Sequence, residues 1–267
     1  MIPIVTAATK EFMPGVSVLL QSIRLNAPSL QGEGFETVVY VDHESTASGW
    51  RNLPHFEKVE WRVLPFRNWQ REFPNNPHRA PMVFASLEVL MDGGPAIFID
   101  SDVMVLGDLP LLVPRWRDWP THTVMAACPV QDDYGSCCPR INTGVFSIRS
   151  RFEGPTPETL QQLADWGRLR NGDQTLINRF RLQWMAACKT FYLPRHYNYN
   201  PNQAGCLGMN LTRGALHFMG RLLKPWLFQG RIDSMETPAY LRPSLAKWWA
   251  ISDTCNHDHL IYPETGP

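Results

Sequence analysis

"PAIFIDSDVMVLGDL", Pro95 to Leu109, decides how the chain is read. Ala96 to Ile99 is an apolar run with the length of a fully buried strand, and Val103 to Leu106 is a second such run. Asp100 and Asp102 stand between them, one residue apart, at the edge of the first strand. Burying a lone carboxylate is expensive, and two this close raise each other's pKa unless donors or a cation hold them. Both acids can turn toward one hard cation while Ser101 points elsewhere, and Mg or Mn accepts such oxygen ligands and keeps positions for phosphate oxygens. An acidic turn after a strand also occurs as plain solvated surface, so the pair alone is a weak motif.

Outward from this stretch the pattern is that of a parallel sheet. Ile2 to Val5 reads as a strand, and Val16, Leu19, Leu20 and Ile23 recur at the spacing of one helix face. "ETVVYVD" from Glu36 reads as the next strand, which makes a βαβ unit. Ligands of such sheets bind at the carboxyl ends of the strands, where Ala8 to Phe12 would lie. "RNWQREFPNNPHR" (67–79) reads as a loop leading into an apolar helix from about Met82 to Met91. "TVMAAC" is a further strand, and "INTGVFSI" (Ile141 to Ile148) is a strand entered through a turn. Thr156 before Pro157 reads as a helix N-cap, for a helix carrying Leu160, Leu163 and Ala164. Another helix starts near Asp173 and buries Leu176, Ile177, Phe180 and Trp184. After Cys188 the pattern is irregular, with "RHYNYNPNQAGCLGMN" its most polar part.

With 267 residues, 44% of them apolar, one domain with a sizeable core is expected. The 25 basic and 25 acidic residues cancel, which speaks against nucleic acid or an anionic membrane and for a small ligand. "MIPIVTAATKEF" lacks a basic segment followed by a long apolar one, so no signal peptide is expected, and no run has the length of a membrane span. Cys128, Cys137, Cys138, Cys188, Cys206 and Cys255 show no CxxC spacing and read as free thiols of a cytoplasmic protein. "CNHDHL" near the end reads as a solvated tail rather than a metal tract.

Three further stretches accompany the paired aspartates: "INTGVFSI", "NGDQTLIN" (171–178) and "LHFMGRLLKPW" (216–226). With them the chain resembles the retaining glycosyltransferases of family 8, the family of glycogenin and the bacterial lipopolysaccharide galactosyltransferases. The Asp-x-Asp, the Asn-x-Gly-Val-Phe turn, the Gly-Asp-Gln helix start and the His-x-x-Gly before Lys-Pro-Trp come in the family's order. "TKEFMPGVSVLLQSI" is similar to the family's first loop and helix, so the resemblance runs from about Ile2 to Trp226. It implies an α/β fold of GT-A (Rossmann-like) type with a mixed, mostly parallel sheet. The catalytic domain would be 1–228, with 229–267 an extension packed near the acceptor side.

The resemblance also implies roles. Asp100, Asp102 and His217 would be ligands of Mn2+ or Mg2+, Asp100 and Ser101 lying also against the nucleotide and Asp102 counting among the catalytic residues. Read on its own, His217 between Leu216 and Phe218 would be an ordinary core histidine. Ala7, Ala8 and Thr9 would meet the base through their backbone, with Phe12 where the family has a uracil-stacking tyrosine. Gly220 would let the backbone approach the diphosphate, and Lys224 would neutralise it. Asn142, Thr143 and Gly144 would hold sugar hydroxyls, although Asn142 also reads as a plain asparagine turn. Asp173 and Gln174 would be catalytic and lie on the donor sugar, the aspartate on its hydroxyls and the glutamine near the anomeric carbon. The same carboxylate is also a favourable charge at a helix N-terminus.

Three departures stand out. "RLL" puts three residues between Gly220 and Lys224 where the family has two. The family's basic residue early in the helix before the Asp-x-Asp aligns near Pro81, with Arg79 its nearest substitute. Ala8 and Thr9 replace an aspartate that meets the base in many bacterial members.

The expectation is a metal-dependent retaining enzyme moving glucose or galactose from a UDP-sugar to an acceptor. "VQDDYGSCC", "RHYNYNPNQAG" and the tail are the variable segments that would touch the acceptor, a glycan, lipid-linked sugar, protein or small molecule. Trp226 reads as packing, and Trp248 and Trp249 as core rather than an acceptor platform. Replacing Asp102 by Asn is expected to remove activity and spare the fold. A nucleotide-sugar-binding protein without transfer activity is one alternative. An aspartyl phosphatase with nucleophile Asp100 is another, but its motif normally opens the domain, whereas here a βαβ unit precedes it.

Overall fold

The computed structural model describes residues 1–64, 80–114, 119–130, 138–149, 155–165, 173–183, 189–201, 212–219, 224–227 and 239–255, with the backbone alone at 80–84 and 163–165. The βαβ unit forms as expected from β1 (Ile2–Ala8), α1 (Met13–Asn26) and β2 (Phe35–Val41), the strands running parallel from Ile2 beside Phe35 to Ala8 beside Val41. Outside it, β3 (Val59–Val63) adds parallel to β2, a strand the apolar runs did not reveal because it sits at the edge and is only half-buried. Then α2 (Ala80–Asp92) leads into β4 (Ala96–Ile99), parallel to β1.

Beyond β4 the chain leaves the sheet. The second apolar run becomes the three-residue β5 (Val103–Val105) of a separate small sheet. It returns as β6 (Met125–Pro129) and β7 (Ile141–Ile148), and β7 lies antiparallel between β4 and β6. After α3 (Pro157–Asp165) and α4 (Asp173–Gln183), β8 (Thr190–Tyr192) closes the large sheet and β9 (Ala215–His217) pairs with β5. The seven-stranded order is β3-β2-β1-β4-β7-β6-β8, mixed and with a parallel block of four, as expected. The segment after Cys188 is therefore not wholly irregular. Strands of three residues are too short to show an alternating pattern.

Period-two alternation sorts the strands between two layers. Val5, Ala7 and Phe98 face α2 and α4 with Leu87, Leu90, Leu176 and Ile177, and Phe98 stacks on its cross-strand partner Phe146 at 5.2 Å between centroids. Ile4, Ile97 and Ile99 face the other way, toward Leu19 and Ile23 of α1 and toward Val103 and Val105. The four residues chosen for the face of α1 are all buried. Thr156 caps α3 as read, its Oγ1 accepting from Thr159 N at 3.2 Å.

After β9, α5 (Arg242–Ser252) packs Leu245 and Trp248 against Val18, Phe218 and Trp226. Trp226 and Trp248 are thus core, their ring centroids 5.9 Å apart. Cys128, Cys138 and Cys255 are free thiols, and among the described residues no helix is long and apolar enough to cross a membrane. Trp184 and the 67–79 loop lie outside the described residues.

Candidate active site

The carboxyl ends of β1, β2 and β4 fall on one edge of the sheet, at Ala8, Val41 and Ile99. Asp100 extends the ladder by one bond, its N donating to Gly144 O at 2.8 Å, and Val103 N to Asp100 O at 3.1 Å closes the turn that carries Ser101. Asp102 therefore begins the small sheet while Asp100 ends the large one. In that small sheet Val103 lies opposite His217, and Phe218 N donates to Asp102 O at 2.9 Å. Strand register alone brings the histidine to the acids. His217 Nε2 is 3.4 Å from Asp100 Oδ2 and 3.2 Å from Asp102 Oδ1, and one ligand atom from each residue lies within 4.8 Å of the others.

The turn is walled tightly. A Cβ on Gly15 of α1 would run into Ser101 O and the Trp226 ring, and one on Gly144 would overlap the His217 imidazole and come within 3.0 Å of Asp100 Oδ2. Lys224 Nζ donates to Asp102 Oδ2 and, at 2.9 Å, to Phe218 O, all three residues being buried.

These neighbours drive the two acids apart. Burial raises the pKa of Asp102, but the Lys224 charge, with the hydrogen bond Lys224 donates, more than offsets that and holds it well below the usual range. Burial raises Asp100 too, and the charges of Asp102 and Asp173 push the same way against Lys224 alone. Keeping both ionised needs more positive charge than Lys224 supplies. The buried Asp102 Oδ1, although near Nε2, lacks the alignment of a hydrogen bond and has no such partner among the described residues. Two carboxylates and an imidazole around an orphaned oxygen fit a divalent cation such as Mn2+ or Mg2+.

Asp173 opens α4, and its Oδ2 accepts from Ser86 of α2 at 2.9 Å and Thr143 of β7 at 3.0 Å. Burial lifts its pKa to about 6 despite these bonds. The folded state thus keeps a proton that the unfolded chain has already lost between about pH 4 and pH 6, so this group's contribution to stability falls as pH rises through that window. Above it the deficit is constant at roughly 1–3 kcal/mol, allowing for the residue's partial contact with solvent. Asp173→Asn is therefore expected to raise the melting temperature at pH 7.5 and to lose that advantage toward pH 4. Equal stability gains at both pH values in thermal scans would contradict it.

Other expected positions fall around this centre. "INTGVFSI" forms β7 over its whole length as read, but the turn expected at Asn142 to Gly144 lies within the strand, which has three more residues than the facing β6 between the pairs Pro129–Ile141 and Ala127–Phe146. Such excess residues bulge a strand and re-aim its side chains. Asn142 is engaged within the protein, its Oδ1 accepting from Gly144 N at 2.9 Å and Asn198 Nδ2 at 2.8 Å, and its Nδ2 lying 3.2 Å from Met219 Sδ. Ala8 ends β1 and Thr9 follows it, both buried, and the Thr9 and Ser101 hydroxyls have no partner among the described residues. Phe12 packs edge-on against Trp226 at 5.6 Å, with Lys224 Nζ 5.4 Å from its ring. Ala7 precedes them in β1, and Gln174 follows Asp173 in the first turn of α4. Arg79 and Gly220 lie outside the described residues, as does most of "VQDDYGSCC". Ser86 and Asn198 were not anticipated as site residues. Only the polar character of "RHYNYNPNQAG" hinted at Asn198, and nothing marked a serine within an apolar helix.

No family model matches the chain, and no curated protein matches it in sequence. Solved structures match over nearly all of it. The galactosyltransferase LgtC, crystallised with donor and acceptor sugar analogues, superposes with a TM-score of 0.64 at 14% identity, over 96% of both chains. The glycosyltransferase GlyE of Streptococcus pneumoniae gives 0.62 at 16% identity, over 100% of this chain and 67% of its own. Mouse xyloside xylosyltransferase 1 gives 0.57 at 14% identity, over 84% and 99%. The mixed sheet, the turn of paired aspartates at its carboxyl edge and these superpositions together show that the chain has the GT-A glycosyltransferase fold.

Proposed function

We propose that the protein is a metal-dependent, retaining glycosyltransferase of family 8 type that moves a hexose, glucose or galactose, from a UDP-sugar to an acceptor hydroxyl. The observation that carries this is the convergence of Asp100, Asp102 and His217 at the carboxyl edge of a GT-A sheet, where one oxygen of Asp102 has no hydrogen-bond partner among the described residues. Asp100, Asp102 and His217 would hold the divalent cation, which supplies positive charge to the departing nucleoside diphosphate. Lys224 keeps Asp102 ionised and places a second cation beside the same position. Phe12, which lies near Lys224 and Trp226, would stack on the uracil ring.

On the sugar side, Ser86 and Thr143 both bond one oxygen of Asp173, and the carboxylate held in this way would meet donor hydroxyls. Gln174 is a neutral amide and a poor nucleophile, so no double displacement runs through it. The acceptor would enter on the face the diphosphate leaves, with the protein stabilising the charge that develops. LgtC has been crystallised as an active-site glutamine-to-glutamate mutant, which is in keeping with a glutamine close to the chemistry here. None of the named relatives is a phosphatase.

A panel of UDP-glucose, UDP-galactose and UDP-N-acetylglucosamine incubated with the protein tests this without knowledge of the acceptor. Slow release of UDP from one of the hexose donors is expected with Mn2+ and not with a chelator, the sugar appearing first as its α anomer by proton NMR. Calorimetry should show UDP binding at least about tenfold tighter with Mn2+, a gain of some 1.4 kcal/mol. Equal UDP affinity with and without metal, or a β product, would sink the reading.

A further inference from the structure

His217 reaches the acids through one ring nitrogen, and what the other nitrogen does sets its chemistry. Nδ1 is 2.9 Å from Asn198 Oδ1. An amide can face a ring with either end, so the orientation of Asn198 must be fixed by something else. Gly144 N is a backbone donor whose role is not open to choice, and it bonds Asn142 Oδ1 at 2.9 Å. That oxygen then accepts, at 2.8 Å, from the Nδ2 of Asn198. With its NH2 turned to Asn142, Asn198 presents its oxygen to His217, and only a protonated Nδ1 can answer an oxygen. The Asn198 backbone is placed independently: its neighbour Tyr199 donates to Ala215 O at 2.8 Å and accepts from His217 N at 2.6 Å, the two bonds flanking Leu216 on one edge of β9.

We infer that Asn198 and Asn142 are positioning residues, a two-amide relay that transmits the direction of the Gly144 N–H to His217 and leaves Nε2 of the neutral ring with its lone pair facing Asp100 and Asp102. The relay is needed because the local preference runs the other way. Two carboxylate oxygens at 3.2 and 3.4 Å would draw a proton onto Nε2, and a ring protonated there cannot coordinate a cation. Fixing the far nitrogen opposes that. The inference rests on the metal reading above for its purpose, but the state of the ring does not depend on any metal.

The full chain labelled with 15N-histidine, metal-free and at a pH high enough for the ring to be neutral, reports the tautomer directly, His217 being assigned by its loss in His217→Gln. The wild type should show an unprotonated Nε2. Asn142→Ala, which touches neither the ring nor the acids, should let Asn198 turn over and move the proton to Nε2. Asn142→Asp keeps an acceptor for both Gly144 N and Asn198 Nδ2 and should restore the wild-type pattern. Titration with Mn2+ alone, followed by electron paramagnetic resonance, should show affinity falling about 10–100-fold in Asn142→Ala and Asn198→Ala. A protonated Nε2 in the wild type, or an unchanged tautomer in Asn142→Ala, overturns the inference, and the wild-type spectrum decides even if Asn142→Ala does not fold. A wild type that shows the expected tautomer but binds no Mn2+ supports the relay and removes the metal reading instead.

Discussion

Asp100→Asn and Asp102→Asn will both cost about a thousandfold or more in metal-dependent turnover, each removing a ligand from a centre that supplies several kcal/mol of charge stabilisation. They will part company in stability. Asp102 and Lys224 form a buried ion pair, at 5% and 7% exposure, and neutralising one member leaves an uncompensated charge, typically a loss of about 3–5 kcal/mol. Asp100 is the opposite case, since burial and the charges of Asp102 and Asp173 disfavour its ionised form. Making it neutral should leave stability unchanged or higher. The sequence alone suggests that Asp102→Asn spares the fold by relieving repulsion between neighbours, and the pairing with Lys224 reverses that expectation. Chemical denaturation of both variants and of Asp102→Asn/Lys224→Met measures it, the double variant regaining much of what the single one loses. Asp102→Asn as stable as the wild type would show that Lys224 is not held by Asp102.

Gly144→Ala should be the most damaging change of a single methyl group. The glycine is needed for space, because the added Cβ would occupy the position of the His217 ring and press on Asp100 Oδ2. Neither can easily yield. The ring is held by Asn198 on one side and by β9 on the other, and Asp100 is fixed by its own backbone bond to Gly144 O. Displacement of two of three ligand atoms should weaken Mn2+ binding by at least about tenfold, on the scale by which supporting residues tune metal sites, and lower turnover with it. Gly34→Ala, where a Cβ meets nothing within 4 Å, is the matched control. Wild-type Mn2+ affinity in Gly144→Ala would mean that the loop around β7 yields more readily than its bonds suggest.

Much of this was legible in the linear chain because the signals are local. The apolar faces of β1, β4 and α1, the cap at Thr156 and the paired aspartates at a strand edge each follow from the period or chemistry of a few adjacent residues. Hence the local pattern by itself determined an α/β chain with a parallel sheet, the carboxyl edge as the side for a ligand, and Asp100 and Asp102 as the candidate centre, while the GT-A type came with the family resemblance. The sequence also marked His217 and Lys224, through the resemblance of "LHFMGRLLKPW" to a family motif.

What those residues do to one another was decided only by the tertiary structure. Lys224 and Asp102 are 122 positions apart, and no spacing rule predicts that the lysine pairs with a metal-ligand candidate. His217 arrives through two three-residue strands whose register is set by pairing, since so short a strand has no periodicity to read. The bulge that takes the expected turn at Asn142 to Gly144 into the strand exists only as a mismatch with β6, and it puts Gly144 against the histidine. Asn198 enters the site because Tyr199 is clamped to β9, a backbone contact that its own side chain does not encode. Local composition dictates which elements form and which faces they bury, whereas pKa, tautomer and ligand geometry depend on atoms brought together from distant segments at distances of about 3 Å.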